Sequence, residues 1–365
     1  MSFASVIEAY GEGPVLASGG LVIGALFGFF AQRSKFCLRA ATLEFWHRKF
    51  GEKIAVWLLT FSAAVVGVQL LIVTHHMDTT AARQISATGS LSGALIGGLL
   101  FGIGMILTRG CASRLLVLSA NGNLRALLSG LIFAVTAQAA LAGSLAPWRE
   151  SISGWWVVQG GHSRDLLALS GAGPWGGLFF GLVWLLAALF FSVRSGWGFW
   201  KWVGGIGTGL MVAAGWGFSY LVASHSFEVV PVQSLTFSGP SAEWLMRVLA
   251  SPAPAMGFSF GLIPGVFLGS FIGAWVGHDF KLEGFSDGYS MRRYIFGAIF
   301  MGFGSMLAGG CAVGAGITGG SIFATTAWLS LVGMWLGAGL TDRIIDRQAQ
   351  VTGSATAIAP VRTAP

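Results

Sequence analysis

Apolar and polar positions along this chain alternate on a scale of some twenty residues, not three or four. Long apolar runs lie near 15–32, 54–73, 91–108, 124–145, 175–193, 202–223, 256–277, 293–309 and 323–340, with short polar stretches between them. Each is close to the length a helix needs to cross the hydrocarbon core of a bilayer. The pattern predicts an all-α polytopic membrane protein with nine transmembrane helices. Two shorter apolar pieces, SGWWVV at 153–158 and SAEWLMRVLA at 241–250, cannot span and read as interfacial or re-entrant segments. Residues 341–365 are polar and are expected to form a disordered tail behind one transmembrane domain, 1–340.

Composition sharpens this picture. Only 10% of the residues are charged and 54% are hydrophobic, whereas soluble domains carry about 25% charged residues. The 56 glycines are about twice the usual share of roughly 7%. In a membrane, glycine lets helices approach closely and break where a cavity is lined. The opening residues MSFASVIEAYGEGP hold two acids and no Lys or Arg, so the first apolar run is expected to be retained as a span. Of the Lys and Arg residues, 17 fall in one set of alternate loops and 4 in the other. The positive-inside rule therefore puts the amino terminus in the periplasm and the carboxyl terminus in the cytoplasm. The net charge of +7 then faces anionic lipid, and nucleic acid is not needed to explain it.

A repeat stands out within this pattern. GIGMILTRGCA, residues 102–112, and GFGSMLAGGCA, residues 302–312, agree at Gly102/Gly302, Gly104/Gly304, Leu107/Leu307, Gly110/Gly310, Cys111/Cys311 and Ala112/Ala312. They sit on spans three and eight and run through the bilayer in opposite directions, which predicts an inverted repeat with halves at about 15–145 and 175–340. Each copy breaks a helix at glycine and restarts at cysteine. A helix starting there would point free N–H groups and its positive dipole end at an anion beside the thiol. The plainer reading makes a membrane cysteine a small hydrophobe, but the paired register favours a site at Cys111 and Cys311. Cys37 has no partner in the repeat. Arg109 and Arg114 flank Cys111, and either snorkel to the headgroups or meet an anion.

Several chemistries are disfavoured. The three cysteines include no CxxC pair, which excludes the common zinc and thioredoxin spacings and makes a disulfide framework unexpected. All 14 acids lie outside the nine spans, against carboxylate-based ion coupling and against a cationic substrate. The six histidines lie in loops or at span ends, with no pair placed to hold haem. GGIGTG at 204–209 lacks the lysine of a nucleotide loop. No metal or cofactor is expected.

Four stretches resemble the YeeE/YedE thiosulfate transporters of bacterial inner membranes. These are GFFAQRSKFCL at 28–38, the Gly-Cys-Ala segment around Cys111, VFLGSFIGA at 266–274, and MGFGSMLAGGCAVGAGITGG at 301–320. They occur in that family's order over about residues 15–340. The resemblance implies an hourglass-shaped helical fold whose waist holds the thiols of Cys37, Cys111 and Cys311, with Gln32, Arg33, Gly110 and Gly310 in the matching motifs. It further implies uptake of thiosulfate by weak S–H···S contacts, without enzymatic turnover, and a cytoplasmic sulfurtransferase-like partner. The middle motif departs from the family pattern Ala-Gly-Gly-Cys-Ala-x-Gly, reading LTRGCASR from Leu107 to Arg114. The added charge suits an anion but leaves open which sulfur oxyanion is carried. The competing class is a membrane sulfurtransferase or thiol oxidoreductase with Cys111 as nucleophile. A structural subunit with no pathway would leave the repeated cysteines unexplained.

Overall fold

The computed structural model describes residues 3–194, 196–249, 256–284 and 288–357. The first half holds α1 (Phe3–Tyr10), α2 (Glu12–Ser34), α3 (Leu38–Trp46), α4 (Glu52–Val73), α5 (Arg83–Ser86), α6 (Leu91–Leu107), α7 (Ala112–Ala120) and α8 (Leu124–Ala142). A connecting region holds α9 (Ala146–Gly154) and α10 (Leu166–Ser170), and α11 (Gly173–Arg194) follows. The second half holds α12 (Phe199–His225), α13 (Ser238–Leu249), α14 (Phe258–Val276), α15 (Gly288–Leu307), a π-helix (Ala312–Gly319) and α16 (Thr325–Ala357). Among the described residues, eight helical stretches are long and apolar enough to cross a membrane. The chain is an all-α, multi-pass membrane protein.

The ninth apolar run, 323–340, is helical too, as the start of α16, but is not among the eight. Thr325, Thr326 and Ser330 interrupt it, and Thr341 and Asp342 follow at once. Those groups are tolerated because this helix is packed on α6 and on the π-helix. Ser330, fully buried, donates to Ala308 O at 3.2 Å and Thr326 O at 2.8 Å. α16 continues past residue 340 to Ala357, into the stretch expected as a tail, and 358–365 lie outside the described residues.

Of the two short apolar pieces, 241–250 falls mostly within α13, whose Trp244 Nε1 donates to Phe260 O at 2.8 Å. The acceptor is available because Pro264, inside α14, has no N–H to offer the carbonyl four residues back. The stacked Trp244 and Phe260 rings, 4.9 Å apart, hold the same joint. The other piece, 153–158, ends α9 and enters a two-residue strand, Val157–Val158, paired antiparallel with Gly89–Ser90. Beside this strand pair Arg164 is buried, with its guanidinium donating to Ala87 O and to Thr326 Oγ1, and burial pushes its pKa down.

Glycine sets the closest helix contacts. Gly20, Gly24 and Gly28 of α2 face Phe258 O, Leu262 O and Val266 O of α14, while Gly261, Gly265 and Gly269 of α14 face Ala17 O, Leu21 O and Ala25 O of α2. Each helix presents every fourth residue as a bare backbone to the other, so carbonyls and Cα groups touch with no side chain between. In lipid, where apolar surfaces gain little by leaving the hydrocarbon, this van der Waals contact is the main cohesive term. α6 is held in the same manner between α15 and α16, where Gly97 meets Gly304 O and Gly102 meets Met334 O.

Candidate functional site

Each of the three cysteines occupies the same local structure. α2, α6 and α15 each end in a left-handed residue two positions before a cysteine: Lys35 at φ +54°, Arg109 at +59° and Gly309 at +76°. The cysteine itself is extended and forms the N-cap of the next helix, α3, α7 or the π-helix. A left-handed residue reverses the chain sharply, and the new helix starts with unpaired N–H groups pointing back toward the break. The Cys37 sulfur faces the amide of Ala40 and the Cys111 sulfur that of Arg114. The Cys311 sulfur accepts from Gly314 N at 3.5 Å. In each case the partner is three residues on. Cys37 therefore has the same local structure as the repeated cysteines, although the sequence repeat does not include it.

The structure brings Cys37 and Cys111 together, with their thiols close enough to interact electrostatically. Cys111 is fully buried and also lies 3.4 Å from Ser113 Oγ, whereas Cys37 is half-buried. Cys311, fully buried, receives a second amide, Phe237 N at 3.4 Å. Phe237 is the residue before α13, just as Cys37 is the residue before α3. The extended segment carrying it is fixed by Thr318 Oγ1 donating to Leu235 O at 2.6 Å and by Ser234 Oγ donating to Val212 O at 2.7 Å. α7 touches the π-helix, and Cys111 and Cys311 share one buried core. Among the described residues no group of three or more His, Cys, Asp or Glu could hold a metal ion.

The remaining candidates separate. Arg114, half-buried beside the Cys37–Cys111 pair, donates to Gln32 Oε1 at 3.3 Å, and Gln32 Nε2 donates to Asp279 Oδ2 at 3.3 Å. These three, with Lys35, Lys281 and Glu283 among others, line a cavity of about 170 Å³. Gly110 and Gly310 are buried in the breaks, and Thr108 Oγ1 donates to Gly110 O at 2.8 Å. A Cβ on Gly310 would lie 2.7 Å from Ala315 N, so this break cannot carry a side chain without moving the π-helix. Arg33 turns away, 4.7 Å over the Trp200 ring. Arg109 is exposed at the break before Cys111. Residues missed by sequence reasoning are Phe237, which shows no polar side chain to notice, and Arg39, beside Cys37, which reads as an ordinary flanking charge.

A profile for sulphur transport matches residues 33–340. The chain belongs to the sulphur transport family. This bears out the resemblance drawn from the motifs. Two relatives carry the name thiosulfate transporter TsuA. The protein from Escherichia coli (strain K12) is 25% identical over 346 residues, 87% of this chain and 91% of the relative. The one from Spirochaeta thermophila is 25% identical over 334 residues, 87% of this chain and 96% of the relative.

Against the family's Gly-Gly-Cys pattern, Arg109 occupies a left-handed position that costs a residue with a Cβ about 1–2 kcal/mol. Arg109→Gly is expected to raise the stability of the purified protein by about 1 kcal/mol, because it removes strain and a like charge. Thermal denaturation in detergent measures this, and a lowered midpoint would contradict it.

Proposed function

We propose that the chain carries thiosulfate, or a close sulfur oxyanion, inward across the bacterial inner membrane through a constriction lined by Cys37, Cys111 and Cys311. The observation that carries this reading is that each cysteine caps the start of a helix at a left-handed break, with Cys37 and Cys111 brought side by side. A sulfane sulfur meets soft S–H groups there, while the helix starts and Arg114 favour its negative charge. Weak successive sites permit both entry and exit. Gln32, Gly110, Gly310 and Arg109 frame that path, and Arg33 anchors its flank. A cytoplasmic sulfurtransferase-like protein would trap the product, keeping the gradient inward. The relatives' name, thiosulfate transporter, supports the substrate class.

The inverted repeat and an hourglass shape belong to the same proposal, with one domain over 1–340 and halves at about 15–145 and 175–340. Packing supports the repeat. α2 packs on α14 as α12 packs on α4, and α6 packs on α16 as α15 packs on α8. Likewise α3 lies on α4 and α16 as α13 lies on α14 and α8. In this reading α16 is the ninth crossing, which puts the amino terminus in the periplasm and the carboxyl terminus in the cytoplasm.

The test is uptake of labelled thiosulfate into proteoliposomes, with sulfate, sulfite and unlabelled thiosulfate competing. Thiosulfate should suppress the signal at the lowest concentration. Preference for sulfate, which has no sulfane sulfur, would defeat the thiol mechanism. A stable persulfide on Cys111 in most molecules after exposure would favour an enzyme instead.

A further inference from the structure

A polar space opens beside Cys37 and Cys111. The end of α2, the short helix α7 and the segments 121–123 and 279–283 enclose the cavity of about 170 Å³, whereas a single buried water needs only about 10–15 Å³. α7 packs on both α14 and α2, which sets the cavity among the three. Its floor is Gln32, only 2% exposed, whose amide has one workable orientation. The oxygen accepts from Arg114 Nη1 and the nitrogen donates to Asp279 Oδ2, both at 3.3 Å. The far wall is stitched in the same manner. Asn123 Nδ2 donates to Glu283 Oε2, Lys281 N donates to Asn121 O at 3.1 Å, and Glu283 N donates to Gly122 O at 3.2 Å.

Three cations from three elements line this space: Lys35, two residues before Cys37; Arg114, three residues after Cys111; and Lys281. None of them is in an ion pair with a described residue. Arg114 spends one Nη on the neutral Gln32 oxygen, and Lys35 and Lys281 are exposed, so all three keep donors for a ligand. Two carboxylates stand against them, Asp279 and Glu283, each with one oxygen engaged by an amide N–H. The lining therefore carries one more positive charge than negative. The fold does not demand these cations. Two hundred residues on, in the register of the cysteine repeat, Lys35 and Arg114 correspond to Leu235 and Gly314. A Cβ on Gly314 would collide with Thr236 Oγ1, so the matching spot in that half is filled. A guanidinium and two ammonium groups around a small space suit the oxygens of a tetrahedral oxyanion.

We infer that this cavity is a second binding station for the oxyanion, where Arg114, Lys35 and Lys281 hold it by charge once it has left the thiols. Asp279 and Glu283 keep that hold weak, because a site on a transport path must release what it binds. The station rests on the transport reading for its place in the path and for its side of the membrane, the cytoplasmic one. Its ligand class, a free divalent oxyanion, comes from the lining itself.

The experiment measures equilibrium binding of labelled sulfate, which has oxyanion oxygens but no sulfane sulfur, to the full-length protein in phosphatidylcholine nanodiscs. Ionic strength is held low, since salt screens exposed charges. A saturable site is expected, weakened roughly tenfold or more in Arg114→Gln, as for lost hydrogen bonds to a charged ligand. Lys35→Gln should weaken it less, because that charge is exposed. Glu283→Gln should bind about threefold tighter, since it removes an opposing charge while its amide oxygen still accepts from Asn123. A misfolded variant does not gain affinity, so that result guards against a folding artefact. Uptake of labelled thiosulfate by the parent protein tests the transport reading separately. Uptake without a saturable sulfate site defeats the station and leaves transport standing. Sulfate binding with these variant effects but no uptake keeps the anion site and defeats the transport reading. The station is also overturned if Arg114→Gln and Glu283→Gln both bind as the parent does. Displacement of the sulfate by phosphatidylglycerol added to the discs would overturn it too, making the cavity a lipid headgroup site.

Discussion

Replacing Cys111 with alanine should sharply reduce uptake while leaving the fold intact. Alanine fits the site: Cys111 is fully buried among apolar neighbours, and a buried thiol packs as a small hydrophobe. Function is a different matter. The substitution removes the thiol beside Cys37 and, in the proposed pathway, the group that meets the substrate at its narrowest passage. A buried polar group left without its partner costs about 1–3 kcal/mol, which at the barrier slows passage by roughly 5- to 150-fold. Cys111→Ser should restore part of the rate, since a hydroxyl still donates but interacts less well with sulfur. Cys37→Ala should lose nearly as much, since it leaves the same contact unmade. The measurement is initial uptake of labelled thiosulfate in proteoliposomes, normalised to protein that elutes as a single species. Parent-level uptake by a well-folded Cys111→Ala protein would remove the thiol from the mechanism and leave the glycine breaks as packing devices.

The parts of this site that could be read in the chain are those in which residue type and backbone geometry coincide. Gly309 and Gly310 break a helix in a manner only glycine performs cheaply, so the second cysteine motif announces its own turn. Cys37 sits in the same turn, but there the left-handed residue is Lys35, and nothing in Gln-Arg-Ser-Lys-Phe-Cys suggests a positive φ. Tertiary packing of α2 and α3 overrides the local preference, and no local pattern reports that. Phe237 was hidden for a related reason: its contribution is a backbone N–H, which every residue except proline has. Arg39 reads as a loop charge because hydropathy marks where a span ends, not that the short helix α3 folds back and carries this charge to Cys37. α16 illustrates the opposite limit. Its buried Ser330 and Asp342 lower its apolarity because neighbouring helices, not lipid, surround it.

The glycine seam between α2 and α14 should tolerate even one methyl group poorly. A Cβ at Gly269 would sit 1.8 Å from Ala25 O, and one at Gly261 would sit 1.8 Å from Ala17 O. Both obstacles are backbone atoms of a packed helix, so no side-chain rotation relieves them. Gly→Ala raises intrinsic helix stability by about 1 kcal/mol, and the sign of the outcome depends on whether the clash exceeds that. It should, because the helices must move apart by about 1.5 Å to restore ordinary contact, and a gap of that size forfeits most of the dispersion attraction along the seam. Gly269→Ala is therefore expected to destabilise the protein by roughly 3 kcal/mol, at or above the usual range for overpacked cores, and Gly269→Leu should prevent recovery of folded protein. Gly130, in the middle of α8, is the control: a Cβ there meets nothing within 4 Å. Gly130→Ala should be neutral or stabilising by up to about 1 kcal/mol. Chemical or thermal denaturation of the two alanine variants and the parent in one detergent makes the comparison. Equal stability of Gly269→Ala and Gly130→Ala would mean that α2 and α14 do not touch along this face. The thiol break at the end of α2 would then lose the support that holds Cys37 against Cys111.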